Sequence, residues 1–193
     1  LRYPEIASAL SSGVSAFSDQ VLKTIVEVSQ AMIASLDLKT TIKAILNNIE
    51  KLLPVDYMEI TVWDLENQVL VPYRLSGLPG VERKMEKVPG GYRLGEGYPG
   101  YLAKERTPLF IPDIGSLIKT DPMATMLMGV TRSFLGVPLL VEDTLVGTLE
   151  LGSLNANGLQ ANDLELTRML AGPAAIAIHN ALVYQSEMRR SIE

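Results

Sequence analysis

Two apolar runs separated by only two residues constrain this chain more than any other feature. Ser133–Val141 and Thr144–Leu151 are rich in Val and Leu and flank Glu142-Asp143. A two-residue connection joins antiparallel strands, because a parallel crossover needs about a dozen residues or more. The sequence therefore predicts a hairpin and an antiparallel sheet. Upstream, Tyr57–Trp63 alternates Met58, Ile60 and Val62 with Tyr57, Glu59, Thr61 and Trp63. That period of two marks a half-buried strand, with Asp64–Gln68 as a turn and Val69–Leu75 as its partner.

Helix breakers are concentrated in the middle. Eight of the 15 glycines and seven of the 11 prolines lie between Pro72 and Pro122, which leaves both ends to helix formers. From Asp19 to Leu36, the residues Leu22, Ile25, Val28, Met32 and Leu36 recur at three- and four-residue steps behind Ser18 and Asp19, an amphipathic helix with caps available. A second helix starts at Asp37, carries Ile42, Ile45, Leu46, Ile49, Leu52 and Leu53, and stops at Pro54. A third starts at Asn162-Asp163 and runs toward Arg190 through Leu166, Leu170, Ala174, Ile178 and Leu182, with a kink expected at Gly172-Pro173. Residues 1–18, with Pro4, Gly13 and several serines, read as a linker or frayed start. No βαβ alternation is present, so the class is α+β, and 193 residues suit one domain.

Composition excludes whole classes of function. The formal net charge of −5 and a pI near 5.0 provide no positive field to gather nucleic acid or an anionic membrane, so neither is an expected partner. With no cysteine, disulfides, thiolate nucleophiles, thiolate metal sites and thioether-linked chromophores are all unavailable. The one histidine, His179, sits in the C-terminal helical pattern, where a packed or solvent-facing imidazole is the expected reading; a metal site and a Ser-His-Asp arrangement are not expected. The expectation is a non-enzymatic, cytoplasmic chain. No apolar run approaches the ~18–20 residues of a membrane span, and no signal peptide is visible.

Three stretches carry a resemblance. Leu94-Gly95-Glu96-Gly97-Tyr98-Pro99-Gly100-Tyr101-Leu102-Ala103 is followed by Thr107-Pro108-Leu109-Phe110-Ile111-Pro112-Asp113. Arg132-Ser133-Phe134-Leu135-Gly136-Val137-Pro138-Leu139 leads into Leu145-Val146-Gly147-Thr148-Leu149-Glu150-Leu151. Asn162-Asp163-Leu164-Glu165-Leu166 leads to Ile176-Ala177-Ile178-His179-Asn180-Ala181-Leu182-Val183-Tyr184. In this order and spacing, Ile42 to Tyr184 resembles the GAF domain family, the ligand-binding sensory modules of phosphodiesterases, sensor kinases, phytochromes and bacterial regulators. The resemblance implies a central antiparallel sheet of about five or six strands, terminal helices on one face and a ligand pocket on the other. It also implies a domain over residues 19–185, with 186–193 as the end of a helix leading to a neighbouring output domain such as a histidine kinase or cyclase.

The pocket so implied takes in Leu94, Gly95, Tyr98, Asp113, Ile114, Met123, Met126, Ser133, Thr148 and Glu150. Glu150 shares a strand face with Val146 and Thr148, and a carboxylate buried there needs a partner. It is either a ligand contact, as in cyclic-nucleotide-binding relatives, or a salt-bridged or exposed strand residue. Asp113 either caps the following segment or reaches ligand. Met123, Met126 and Met128 read as an adaptable lid or as ordinary helix packing. Gly95-Glu96-Gly97-Tyr98-Pro99-Gly100 spells a dinucleotide-binding string, yet no buried parallel strand precedes it, so glycines shaping a turn are the stronger reading.

Departures from the cyclic-nucleotide pattern are plain. The stacking aromatic is replaced by Leu94 and the acidic residue after it by Gly95; an Asn-Lys pair is replaced by Ser153-Leu154. Bilin attachment and cysteine-based sulfoxide reduction lack their cysteine, and haem lacks an axial ligand in the pocket segments. The resemblance thus points to an unidentified small molecule as ligand and no cofactor. The terminal helices, through Leu22, Ile25, Met32, Leu182 and Met188, are expected to pair in a homodimer. A degenerate module, its pocket filled by Leu94, Met123 and Met126, is the alternative.

Overall fold

The computed structural model describes residues 35–76, 84–87, 89–117 and 131–192, together with positions 19, 22, 23, 26, 27, 30, 120, 121 and 124. Helix α1, Leu38–Glu50, begins where Asp37 Oδ2 accepts the Thr40 N–H at 2.8 Å. It buries Leu38, Ile42, Ile45, Leu46 and Ile49 along one stripe, the spacing that its sequence shows. Strands β1, Tyr57–Asp64, and β2, Val69–Ser76, form the expected hairpin. Its turn is held by Asp64 Oδ1, which accepts the N–H groups of Glu66 and Asn67 at 3.0 Å each.

Beyond β2 come β3, Lys84–Lys87, helix α2, Gly97–Glu105, strand β4, Leu109–Ile111, and a 3₁₀ turn over Ile114–Ser116. The apolar hairpin follows as β5, Ser133–Val141, and β6, Thr144–Ser153, joined through Glu142 at a φ of 53°. The order across the sheet is β3-β2-β1-β6-β5-β4, and the pairing is antiparallel throughout. Strands β1 and β6, distant in sequence, thus meet at the centre.

Helix α3, Ala161–Arg190, closes the described chain. It starts one residue before the expected Asn162-Asp163 start: Gln160 is the cap residue, and its N–H donates to Asp163 Oδ2 at 2.7 Å. The capping box extends the helix by using Asp163 at its third position instead of its first. The helix runs on through Gly172-Pro173. Contrary to the sequence expectation, it is long and apolar enough in composition to cross a bilayer. Here its Leu166, Leu170, Ala174, Ile178 and Ala181 are buried in the core.

That core occupies one face of the sheet. Met58 and Ile60 of β1, Leu135, Val137 and Leu139 of β5, and Leu149 and Leu151 of β6 pack with α1 and α3 in one apolar cluster. The opposite face of the same central strands carries Glu59, Thr61, Thr148 and Glu150, all buried. The architecture is the α+β sheet with helices on one face that the sequence implies.

Candidate functional site

Buried carboxylates define the second face. Glu59 of β1 lies directly across from Glu150 of β6, and Thr61 across from Thr148; directly opposed antiparallel residues share a face at roughly 5 Å between Cβ atoms. Glu59 is 0% and Glu150 3% exposed. On the other side of β1, Arg74 of β2 is the register partner of Glu59, and its Nε donates to Glu59 Oε2. Tyr57 Oη donates to the same oxygen at 2.9 Å. Arg74 Nη2 donates to Tyr92 Oη at 2.9 Å, and Tyr92 is held in place by an isolated bridge to Leu70.

The threonines orient one another. Thr148 Oγ1 donates to Glu150 Oε1 at 2.8 Å, which uses its only proton. Thr61 Oγ1, 2.6 Å away, must then donate to Thr148 Oγ1, while it accepts the Thr148 N–H at 3.1 Å. A chain of donors thus ends on the Glu150 carboxylate. Glu59 Oε1, by contrast, is buried without a hydrogen-bond partner, an exception that native structures seldom leave unexplained.

Electrostatics follow from this burial. Desolvation first, and then the charge of Glu59, push the Glu150 carboxyl well above the usual carboxylate range, against the pull of Thr148 and Arg74. Tyr57 is pushed up by burial and then by the neighbouring carboxylates Glu59 and Glu150. For Arg74, burial works against its charge, but the hydrogen bond and charge of Glu59 outweigh it and hold the guanidinium firmly protonated. With both glutamates ionised, these three side chains sum to one negative charge.

A smaller apolar patch adjoins the acid pair on the same face. Phe134 and Gly136 of β5 lie across from Gly152 and Glu150. Leu102 of α2 approaches Gly136 so closely that a Cβ there would collide with it. Tyr98 stacks on Phe134 with ring centroids 5.0 Å apart and donates its hydroxyl to Asp121 Oδ2 at 2.9 Å; Ile111, Ile114 and Ala124 complete the patch.

The implied pocket residues are thus divided. Thr148 and Glu150 meet at the acid pair, and Tyr98 and Ile114 belong to the adjoining patch. Asp113 does not reach it: its Oδ1 caps the 3₁₀ turn at the Gly115 N–H, 2.9 Å away, and pairs with Arg132 at 2.9 Å. Ser133 lies on the opposite, helix-covered face, where its Oγ accepts the Leu159 N–H at 3.1 Å. Leu94 is 49% exposed and fills nothing. Met123, Met126 and Met128 lie outside the described residues, as do Ile25 and Met32 of the expected dimer helices.

Each glycine of the Gly95–Gly100 string has a structural reason. Gly95 and Gly97 take φ values of +83° and +61°, and Gly100 lies against the Arg93 carbonyl with no room for a Cβ. Such backbone shapes favour glycine without any phosphate. His179 lines a groove of about 500 Å³ between the β1–β2 turn and α3, on the helix side of the sheet and away from the acid pair.

Glu59, Arg74, Tyr57 and Tyr92 were not singled out from the sequence. Glu59 carried a signal, since it sits in an apolar strand as Glu150 does. Arg74 and Tyr92 had none, because only the register of β2 and the Leu70 bridge bring them in.

The residues that build this sheet, in the order β3-β2-β1-β6-β5-β4, fall within the match of the chain to a family model, the GAF domain, over residues 37–178. The chain belongs to the GAF domain family. GAF domains are regulatory and sensory modules, and the likeness to known proteins agrees in fold. A curated relative, the Nif-specific regulatory protein of Herbaspirillum seropedicae, is 28% identical over 132 residues, which is 66% of this chain and 23% of that protein. The chain therefore spans under a quarter of that relative. Among solved structures, the GAF domain of an Acinetobacter phosphoenolpyruvate-protein phosphotransferase superposes with a TM-score of 0.65 at 18% identity, covering 84% of this chain and 94% of that one. The free methionine-R-sulfoxide reductase of Neisseria meningitidis, solved with its substrate, gives 0.66 at 12% identity, covering 85% and 91%.

Proposed function

We propose that this GAF domain senses a small molecule for a larger signalling protein and passes occupancy to its terminal helices. The observation that carries the reading is the buried Glu59–Glu150 pair with Arg74, Thr61 and Thr148, on the sheet face opposite the described helices α1 and α3. Buried, incompletely partnered charge lowers stability and is kept where it does chemical work or recognition. Recognition is the reading here, because the cluster has acceptors and a fixed cation but no cysteine or histidine nucleophile beside it.

The same two strands link ligand to output. In β1 and β6, Glu59 and Glu150 alternate with Met58, Ile60, Leu149 and Leu151, which pack under α1 and α3. A shift of either strand on binding moves the base on which those helices rest, and packed cores respond to such shifts in discrete steps. Helix α3 leaves Met169, Ile176 and Val183 exposed at seven-residue intervals, with Met188 beyond them, a seam suited to a partner helix in a homodimer. Leu182, expected in that seam, packs instead against its own core. Leu22 is exposed and remains available for pairing. The Nif-specific regulatory relative, of which this chain spans 23%, supports a regulatory setting.

Native mass spectrometry of the purified domain, before and after denaturation, tests this. The expected result is a dimer carrying a small molecule that is released on unfolding. A domain with no bound mass, and with no change in melting temperature against a library of metabolites, overturns the sensory reading in favour of a filled module that only dimerises.

A further inference from the structure

The acid pair also indicates the chemistry of its ligand. Glu59 Oε2 accepts from both Arg74 and Tyr57, whereas Oε1 of the same carboxylate, buried, accepts from nothing. Glu150, facing it, receives one proton donor, from Thr148. Arg74 is the cation within this cluster, and its Nε and Nη2 are already engaged by Glu59 and Tyr92. Among the described residues the cluster therefore lacks one positive charge and at least one N–H. A carboxylate or phosphate ligand would face the charge of Glu59 and, once it ionises, that of Glu150.

We propose, building on the sensory reading above, that the Glu59–Glu150 pair receives a nitrogen cation of a small ligand, an ammonium or amidinium group that donates N–H to both carboxylates. Such charge-assisted bonds are short and strong in a dry site. The Arg74 side chain, 32% exposed, is where the cluster reaches solvent, while Glu59 and Glu150 are buried. Without ligand, a proton held on Glu150 removes the excess negative charge. The arriving cation replaces it: one proton leaves Glu150 for solvent as one R–NH₃⁺ binds, and total charge is conserved. Among the described residues, the charged and titratable groups facing Glu150 are Glu59 and Tyr57 from β1, Arg74 from β2 and Tyr92, bridged to Leu70.

The test uses four probes of similar size on the purified domain, followed by amide NMR shifts in β1 and β6: n-butylammonium, methylguanidinium, butyramide and butyrate. The cations are expected to saturate these shifts, to bind more tightly as pH rises through the Glu150 titration, and to release close to one proton, read by calorimetry in two buffers of different ionisation enthalpy. Glu150→Gln, a neutral isostere of the protonated state, is expected to fold, to bind the cations roughly tenfold or more weakly, and to release no proton. Glu59→Gln is expected to weaken binding similarly, with folding checked by circular dichroism. Tighter binding of butyrate than of the cations at these amides, binding of butyramide equal to that of n-butylammonium, or no binding by either cation overturns the proposal. A co-purified molecule that is anionic, and that butylammonium does not displace, removes the cation class while leaving the sensory reading in place.

Discussion

The two faces of the central strands are built on opposite principles. Behind β1 and β6, Met58, Ile60, Leu149 and Leu151 are buried among α1 and α3 with nothing polar to satisfy. In front, one residue along each strand, Glu59, Thr61, Thr148 and Glu150 are equally buried, yet every one carries a hydrogen-bonding demand, and Glu59 Oε1 is left unmet. Burial that is wholly apolar favours one packed state. Burial of like charges does not, and its incompleteness is where a ligand can supply what the chain withholds. The difference shows that stability and recognition share these strands but sit on alternate residues.

The comparison is broken most severely from the helix side. Leu149→Ala removes a fully buried side chain from the core and is expected to cost about 2–5 kcal/mol in urea unfolding, with little effect on the shifts produced by n-butylammonium in whatever fraction stays folded. Next comes Arg74→Met, which leaves Glu59 with Tyr57 as its remaining donor. A loss of roughly 1–3 kcal/mol is expected, discounted because Arg74 is partly solvated. Adding Glu59→Gln to it should recover much of that loss, measured as a double-mutant cycle.

Glu150→Gln should act with the opposite sign. The folded-state pKa of Glu150 lies above its unfolded value, so its contribution is fully present at pH below the ordinary carboxylate range, about 4, and is lost as pH rises through the raised value. The substitution should flatten that decline and leave the protein as stable as, or more stable than, wild type at neutral pH. Unfolding curves at several pH values between 4 and 8 measure it; a loss of stability at neutral pH would show that the ionised carboxylate supports the fold. The smallest effect belongs to the surface. Asp37→Ala removes the cap of α1 and is expected to cost about 1 kcal/mol, with the ligand face untouched in the same NMR assay.

The legibility of the sequence follows the same division. Periodicity exposed α1, both hairpins and α3, because a dry face repeats at fixed intervals. It placed Glu150 and Thr148 together on one strand face for the same reason. It missed β3 and β4, which are only four and three residues long, too short for a period. It treated the Tyr57, Glu59, Thr61, Trp63 side as the polar face of a half-buried strand, whereas Glu59 and Thr61 are buried. Alternation reports which residues share a face and not whether that face is covered. Arg74 and Tyr92 depend on pairings between strands, so nothing local to them marks the site. Of the two roles the sequence offered Asp113, the cap is the one it takes, at the Gly115 N–H; Ser133 was drawn into the implied pocket by family position, and a loop tie to Leu159 took it instead.

Carbon-13 NMR titration of the Glu150 side-chain carboxyl, with and without n-butylammonium, tests the contrast between the faces most directly. The result expected is a midpoint well above the ordinary carboxylate range in the free domain, moving down when the cation is present. A midpoint within the ordinary range, unmoved by the cation, would contradict both the strained acid pair and the role assigned to it.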